Sequence, residues 1–464
     1  MKMVPKRLGP VLLIAVCSVA LMAGCNDAPK SLVSPTEAVA SFAKSTSGVS
    51  VKSTDPAFGD QGQTNETVTI TGSGFQVGAQ VAMLHNGQVD PTIAVSPAQV
   101  PNSNTIVVVV SIAANSPLDF RDVQVTNSDR TQGIGASVFE VTQAHVISGT
   151  VAGRAVNDNG EVTGSLADGS LFYYNISTGL LQSVSNGATG NGVAISPLGN
   201  AIAGTGGSGG GFPYLYTRAG SVGTAWTATR LPIGPTASGG AATALIADPV
   251  TGQVTMIGGF ETLPTTKGAA CSNAVIWTWQ AATSTWQRIL LPKNGACQSA
   301  IRPRGLSANG VGVGGADGAA VWRPDGSGGY TLTLLAGGIY ANGINGDASM
   351  IVGETASAHG TSSAIYWTSS AAGWGSAVQF IGGCMSSRDI ADASGRATLN
   401  NCPFPGTSVT YASYIDPPYT TITKLGGVGG HNNNFVGGIS PSGNYMVGYG
   451  VTSGGVQVGA YWRP

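Results

Sequence analysis

Between residues 67 and 142 the chain alternates apolar and polar positions with the period of a β-strand. Thr67-Val68-Thr69-Ile70-Thr71 sets the pattern, and Thr105 to Ile112 is a nearly unbroken β-branched run suited to a strand in a buried sheet. Asp122 to Asn127 alternates again, and Ala136 to Val141 closes the segment. Short strands at regular spacing over 50–142 predict a β-sandwich.

From about residue 145 the pattern repeats. An apolar anchor before a turn recurs at Val156, Ile195, Ile246, Leu306, Ile344, Ile390 and Ile439, at a mean interval of about 47 residues. A second strand follows and often ends in glycine, as at Gly164, Gly204, Gly353 and Gly448. A third ends in an aromatic residue at Tyr174, Tyr216, Trp277, Trp322, Trp367, Tyr414 and Trp462. A fourth reads at 180–184, 226–231, 286–291, 330–335, 377–381 and 420–425. Four short strands per repeat predict the blade of a β-propeller, and one blade cannot bury both faces alone. The seventh repeat stops after its third strand, while His145-Val146-Ile147-Ser148-Gly149 has the form of an orphan fourth strand. The expectation is an all-β chain: an immunoglobulin-like β-sandwich over 50–142, then a seven-bladed β-propeller over 143–464 closed by an N-terminal strand. Closure removes open sheet edges.

Composition agrees with many tight turns. Glycine contributes 70 of 464 residues and charged residues only 9%, against a usual share of about 25% for charge. A net charge of −1 with scattered Lys and Arg argues against a nucleic-acid partner.

Two resemblances attach to these segments. Ile70-Thr71-Gly72-Ser73-Gly74-Phe75 with Gly78-Ala79, and Arg121-Asp122-Val123-Gln124-Val125-Thr126-Asn127, resemble an IPT/TIG immunoglobulin-like domain. Such domains are spacers or binding modules, so the resemblance implies no catalysis. Ile351-Val352-Gly353 with Ala364-Ile365-Tyr366-Trp367, and Met446-Val447-Gly448 with Ala460-Tyr461-Trp462, resemble HAF-type extracellular repeats, although the His-Ala-Phe triplet is absent. That resemblance implies a secreted or surface propeller and carries no activity to a residue.

The N-terminus reads as an address. Lys2, Lys6 and Arg7 precede an apolar run from Val11 to Met22, too short to span a bilayer as a stable helix. Leu21-Met22-Ala23-Gly24-Cys25 resembles a bacterial lipobox, which implies a signal peptide over 1–24 and lipidation of Cys25. Ordinary signal cleavage with a free Cys25 is the alternative. Asn26, rather than an acidic residue, follows the cysteine, and by analogy with enteric lipoproteins this favours the outer membrane. Residues 25–49 read as a flexible tether. The implied partners are the membrane, through the lipid anchor, and an unknown protein or glycan.

Four cysteines remain outside Cys17 and Cys25. The repeat register makes Cys271–Cys297 and Cys384–Cys402 local disulfides, with zinc binding as the rival. No CxxC occurs and the four histidines are not at ligand spacing, so no metal or other cofactor is expected. No GxSxG, HExxH, P-loop or calcium-loop motif occurs, and no catalytic residue is assigned. Asp158 and Asp248 read as turn caps. The recurring tryptophans read as packing between blades rather than sugar platforms. Arg154, Arg304 and Arg388 each stand two residues before an anchor, on strands that line a propeller's channel. They are candidates for gripping an anion, against pairing with acids such as Asp389. The expected function is that of a non-enzymatic envelope lipoprotein. A glycoside hydrolase or lyase on the same ring is the alternative, and would need close carboxylates in the channel.

Overall fold

The computed structural model describes residues 48–463 apart from 56–57, 62–63, 114, 143, 186–188, 208–210, 221–222, 265–270, 295–301, 356–361, 404–409, 429–432 and 453–454. The signal segment, Cys25, nearly all of the tether, and Cys297 lie outside the described residues. Within them the chain is all-β, with one 3-10 turn at Ile381–Gly383. No helix there is long and apolar enough to cross a membrane.

Residues 50–142 form two five-stranded sheets on one core. Thr105–Ile112 turns Ile106, Val108, Val110 and Ile112 inward and pairs antiparallel with Glu66–Ser73, Val68 opposite Val108. The facing sheet brings Met83, Val123, Val125 and Phe139 to the same core. Arg121 is fully buried, with Nε 2.6 Å from Asp90 Oδ2 and Nη2 donating to the Pro117 carbonyl. A buried guanidinium so matched ties a loop to the core, and removing either partner would strand the other charge.

Among the described residues seven further sheets follow, most of four antiparallel strands in chain order. The first comprises Thr150–Val156, Glu161–Leu166, Leu171–Asn175 and Leu180–Ser183. The sixth is less regular. Its three strands begin at Ala397–Pro403, and the segment carrying Ile390 joins them not as a regular strand but through the isolated bridges Ser386–Asn400 and Ile390–Ala397 and through Thr398, whose Oγ1 accepts from the Arg388 and Asp389 N–H groups. The last sheet draws on both ends of the region: Ala144–Ile147 pairs antiparallel with Gln457–Trp462, Ala144 opposite Trp462. Neighbouring sheets touch in sequence order, the fifth and sixth through a core shared by Val352, Ala364, Ala397 and Leu399, and Thr150–Val156 touches Asn434–Ile439 of the last sheet, so the series is cyclic.

Two repeated details have simple physical causes. Several of the innermost strands carry bulges, and these bring their carbonyls close to the second strand. A Cβ on Gly164 would stand 1.9 Å from the Ala152 oxygen, and one on Gly448 would stand 1.8 Å from the Phe435 oxygen. Only glycine fits there, which explains the glycine that ends the second strands. The third-strand tryptophans Trp277, Trp322, Trp367 and Trp462 are fully buried. Each donates its indole N–H to a carbonyl just past the last strand of the preceding sheet, at Pro232, Pro292, Ala336 and Gly426, over 2.6–3.0 Å. These residues therefore pin sheet to sheet as well as filling the space between them.

The first region meets the last sheets directly. Glu140 is 1% exposed, and its Oε1 accepts a hydrogen bond from the Gly427 N–H at 3.1 Å. Lys424 Nζ sits 6.0 Å from the Phe120 ring centroid.

Candidate functional site

The seven innermost segments converge on a cavity of about 380 Å³. It is lined from all seven, including the anchors Val156, Ile195, Leu306, Ile344, Ile390 and Ile439; in the third sheet Leu245 lines it in place of the expected anchor Ile246. Arg154, Arg304 and Arg388 all line it. The bulge between Gly153 and Ala155, and that between Pro303 and Gly305, lie at the first two of these arginines.

The three guanidinium groups are in different states. Arg304 donates to Asn342 Oδ1, stands 3.9 Å from Glu354 Oε1 and lies over the Tyr340 ring at 4.2 Å. Arg388 shares the same Glu354 oxygen at 3.9 Å and lies 5.4 Å from the Phe435 ring centroid, while its buried Nε has no partner. Arg154 makes no hydrogen bond or ion pair among the described residues, and its Nε is buried and unbonded. Burial pulls its affinity for a proton down; the Tyr449 hydroxyl raises it, and the nearby Arg388 charge lowers it further. Two of the three cations thus share one carboxylate, Glu354, itself 8% exposed, and Arg154 has none among the described residues.

Asp389 does not supply the missing charge. Its Oδ1 accepts from the Ile390 N–H at 3.0 Å and its Oδ2 from the Ile439 N–H at 3.1 Å. Burial pushes its carboxyl up to about 7 despite those two bonds, and Asp392 adds to the rise. The acid that pairs with two of the arginines is therefore Glu354, and the neighbour that fixes one of them is Asn342, whose Nδ2 donates to the Ser387 carbonyl at 2.9 Å. Neither was apparent from the chain. The available signal was a charge closing the otherwise apolar strand Met350–Glu354.

The cysteines bear on the same place. Cys384 and Cys402 form a disulfide. Cys402 lies within the strand Ala397–Pro403 rather than between strands, and the bond fixes the irregular segment that carries Arg388. Cys271 is disulfide-bonded and opens the strand Cys271–Gln280. No group of three metal-binding side chains occurs among the described residues. Asp248 caps its turn, Oδ1 accepting from the Val250 and Thr251 N–H groups. Asp158 instead reaches across the closing seam to accept from the Ser442 N–H at 2.8 Å. His359 and His431 lie outside the described residues, and His145 stacks on Tyr461 at 4.6 Å.

The arrangement can hold an anion. A carboxylate entering the cavity would meet one unpaired guanidinium and two that share a single counter-charge, in a setting where water is partly excluded.

No family model matches the chain, and no curated protein matches it. Among solved structures it is similar to the β-propeller domain of Cps50 (Swd1) from Myceliophteria thermophila. The identity is 10% and the TM-score 0.30, over 74% of this chain and 90% of that one. The all-β, β-propeller-like organisation is carried by this chain's own sheets and their cyclic order.

Proposed function

We propose that the protein is a non-enzymatic lipoprotein of the cell envelope, anchored at Cys25 in the outer membrane, on its periplasmic or its surface side. In this reading an immunoglobulin-like, IPT/TIG-type sandwich over 50–142 supports a seven-bladed, HAF-type propeller over 143–464. The propeller binds a protein or glycan partner through an anionic group seated at Arg154, Arg304 and Arg388. The observation that supports it is Arg154, a partly buried cation lining the cavity with no partner among the described residues. Proteins rarely keep a desolvated, unpaired charge unless a ligand completes it. Binding without turnover is the favoured reading because both oxygens of Asp389 are engaged by backbone N–H groups, whereas glycoside cleavage needs two carboxylates free to act.

The test is calorimetric titration of the full chain in detergent with citrate, a compact polycarboxylate. One saturable site is expected, and it should disappear when Arg154, Arg304 and Arg388 are changed together to Ala. Equal citrate binding by the wild type and the triple variant would overturn the site. Conversion of a polysaccharide by the wild type would overturn the non-enzymatic reading.

A further inference from the structure

A second cavity, of about 770 Å³, lies between the second and third sheets of the ring. Its lining differs from that of the arginine cavity. Trp279 and Trp286 are register partners on Cys271–Gln280 and Thr285–Leu290, with rings 5.4 Å apart and inclined at 59°. Trp277, two residues before Trp279, is fully buried and gives its indole N–H to Pro232. Trp279 and Trp286 are half-exposed and, among the described residues, give theirs to nothing. Two indole rings edge a roomy hollow with their polar handles unused.

The charge in the hollow has one sign. Arg218 and Arg230 line it, and none of its lining residues is Asp or Glu. Arg218 is buried and reaches Glu161 Oε1 at 3.2 Å with Nη2, while its Nε and Nη1 are unbonded. Arg230 is exposed, and its guanidinium stacks on the Phe212 ring at 3.7 Å and forms no ion pair among the described residues. Asn200 and Gln253 add amide groups to the lining. Indole faces suit the C–H faces of pyranose rings, amides suit ring hydroxyls, and a stacked arginine suits a carboxylate.

We infer that this cavity is a saccharide site for carboxylate-bearing pyranose chains of the uronic acid type, with sugar rings on Trp279 and Trp286 and a carboxylate at Arg230. It stands apart from the arginine cavity and rests on different residues.

The test titrates the full chain in detergent with hexagalacturonate, followed by calorimetry and by tryptophan fluorescence. Cellohexaose serves as a neutral chain of equal length. Each titration is run without citrate and again with citrate at saturation, which occupies the arginine cavity. Saturable hexagalacturonate binding with a shift in emission is expected. Trp279→Ala and Trp286→Ala should each weaken it by about tenfold. Arg230→Ala, a change at an exposed position that leaves the core untouched, should bring the affinity down to that for cellohexaose. Absence of saturable binding, or binding that all three variants leave unchanged, would overturn the site. Equal affinity for both chains in the wild type would overturn the carboxylate assignment. Binding seen without citrate and abolished by it would place the sugar at the arginine cavity. That outcome would sink this second site and leave the function proposed for the first standing.

Discussion

Replacing Arg154 by Met should make the fold more stable, whereas the same change at Arg304 should make it less so. The two positions share a cavity and a place two residues before an anchor, but only Arg304 has partners, in Asn342 and Glu354. A buried polar group left unsatisfied costs about 1–3 kcal/mol. Arg154 is only partly buried, so relief of its penalty, with Met keeping the packing of the aliphatic stem, should stabilise by about 1 kcal/mol. Arg304→Met removes a hydrogen bond and leaves Asn342 and Glu354 short of a donor, for a loss of about 1–2 kcal/mol. Equilibrium urea denaturation, followed by tryptophan fluorescence, reads the difference as midpoints displaced in opposite directions. Both variants should bind citrate more weakly. If Arg154→Met lowers the midpoint as Arg304→Met does, Arg154 is a structural residue and the case for a ligand in the cavity fails.

Three further outcomes follow from other parts of the molecule. Burial raises the Glu140 carboxyl above its ordinary 4.5, against the Gly427 N–H and the Lys424 charge. The folded state therefore holds this proton more tightly than the unfolded one, and the associated stability is full below 4.5 and lost as pH rises through the raised value. Glu140→Gln should flatten the fall in urea midpoint between pH 4.5 and neutrality, and parallel curves for the two proteins would contradict this. Changing Cys384 and Cys402 together to Ser opens a link between residues 18 apart, at a cost of about 3 kcal/mol. It should also weaken citrate binding through Arg388, and an unchanged affinity would show that the bond does not position that arginine. Cys25→Ser should abolish lipid labelling and release the protein from the membrane fraction; continued membrane attachment would refute the lipid anchor.

What could be read from the chain follows from what is local in it. The spacing of Val156, Ile195 and the other anchors, the glycines at 164 and 448, and the aromatic ends of the third strands each reflect one sheet repeating its own packing problem. That three arginines at a fixed offset from their anchors should line one cavity follows from the same repetition. Glu354 and Asn342 were not legible as partners, because their contacts cross between sheets and depend on how tightly the ring draws them together. Asp389 looked like a pairing acid, but backbone N–H groups claim both of its oxygens, one from the adjacent Ile390 and one from Ile439 of the last sheet. Trp277 and Trp279 share one face of one strand. Their different fates depend on depth along the strand, which alternation does not encode.

The antiparallel pairing of Ala144–Ile147 with Gln457–Trp462 has a consequence for how the protein comes into being. Synthesis runs from the N-terminus, so the earliest strand of the ring is made first and its partner last. Until that partner emerges, Ala144–Ile147 presents an unpaired edge, and the intervening sheets can stack but cannot seal. Residues 50–142 can be complete by then, since their strands pair only among themselves. The final step is a contact of very long sequence separation, the kind that folds slowly. The newborn chain therefore passes through a period as an open crescent, and a chaperone that shields one strand edge would act during that interval and have no target afterwards.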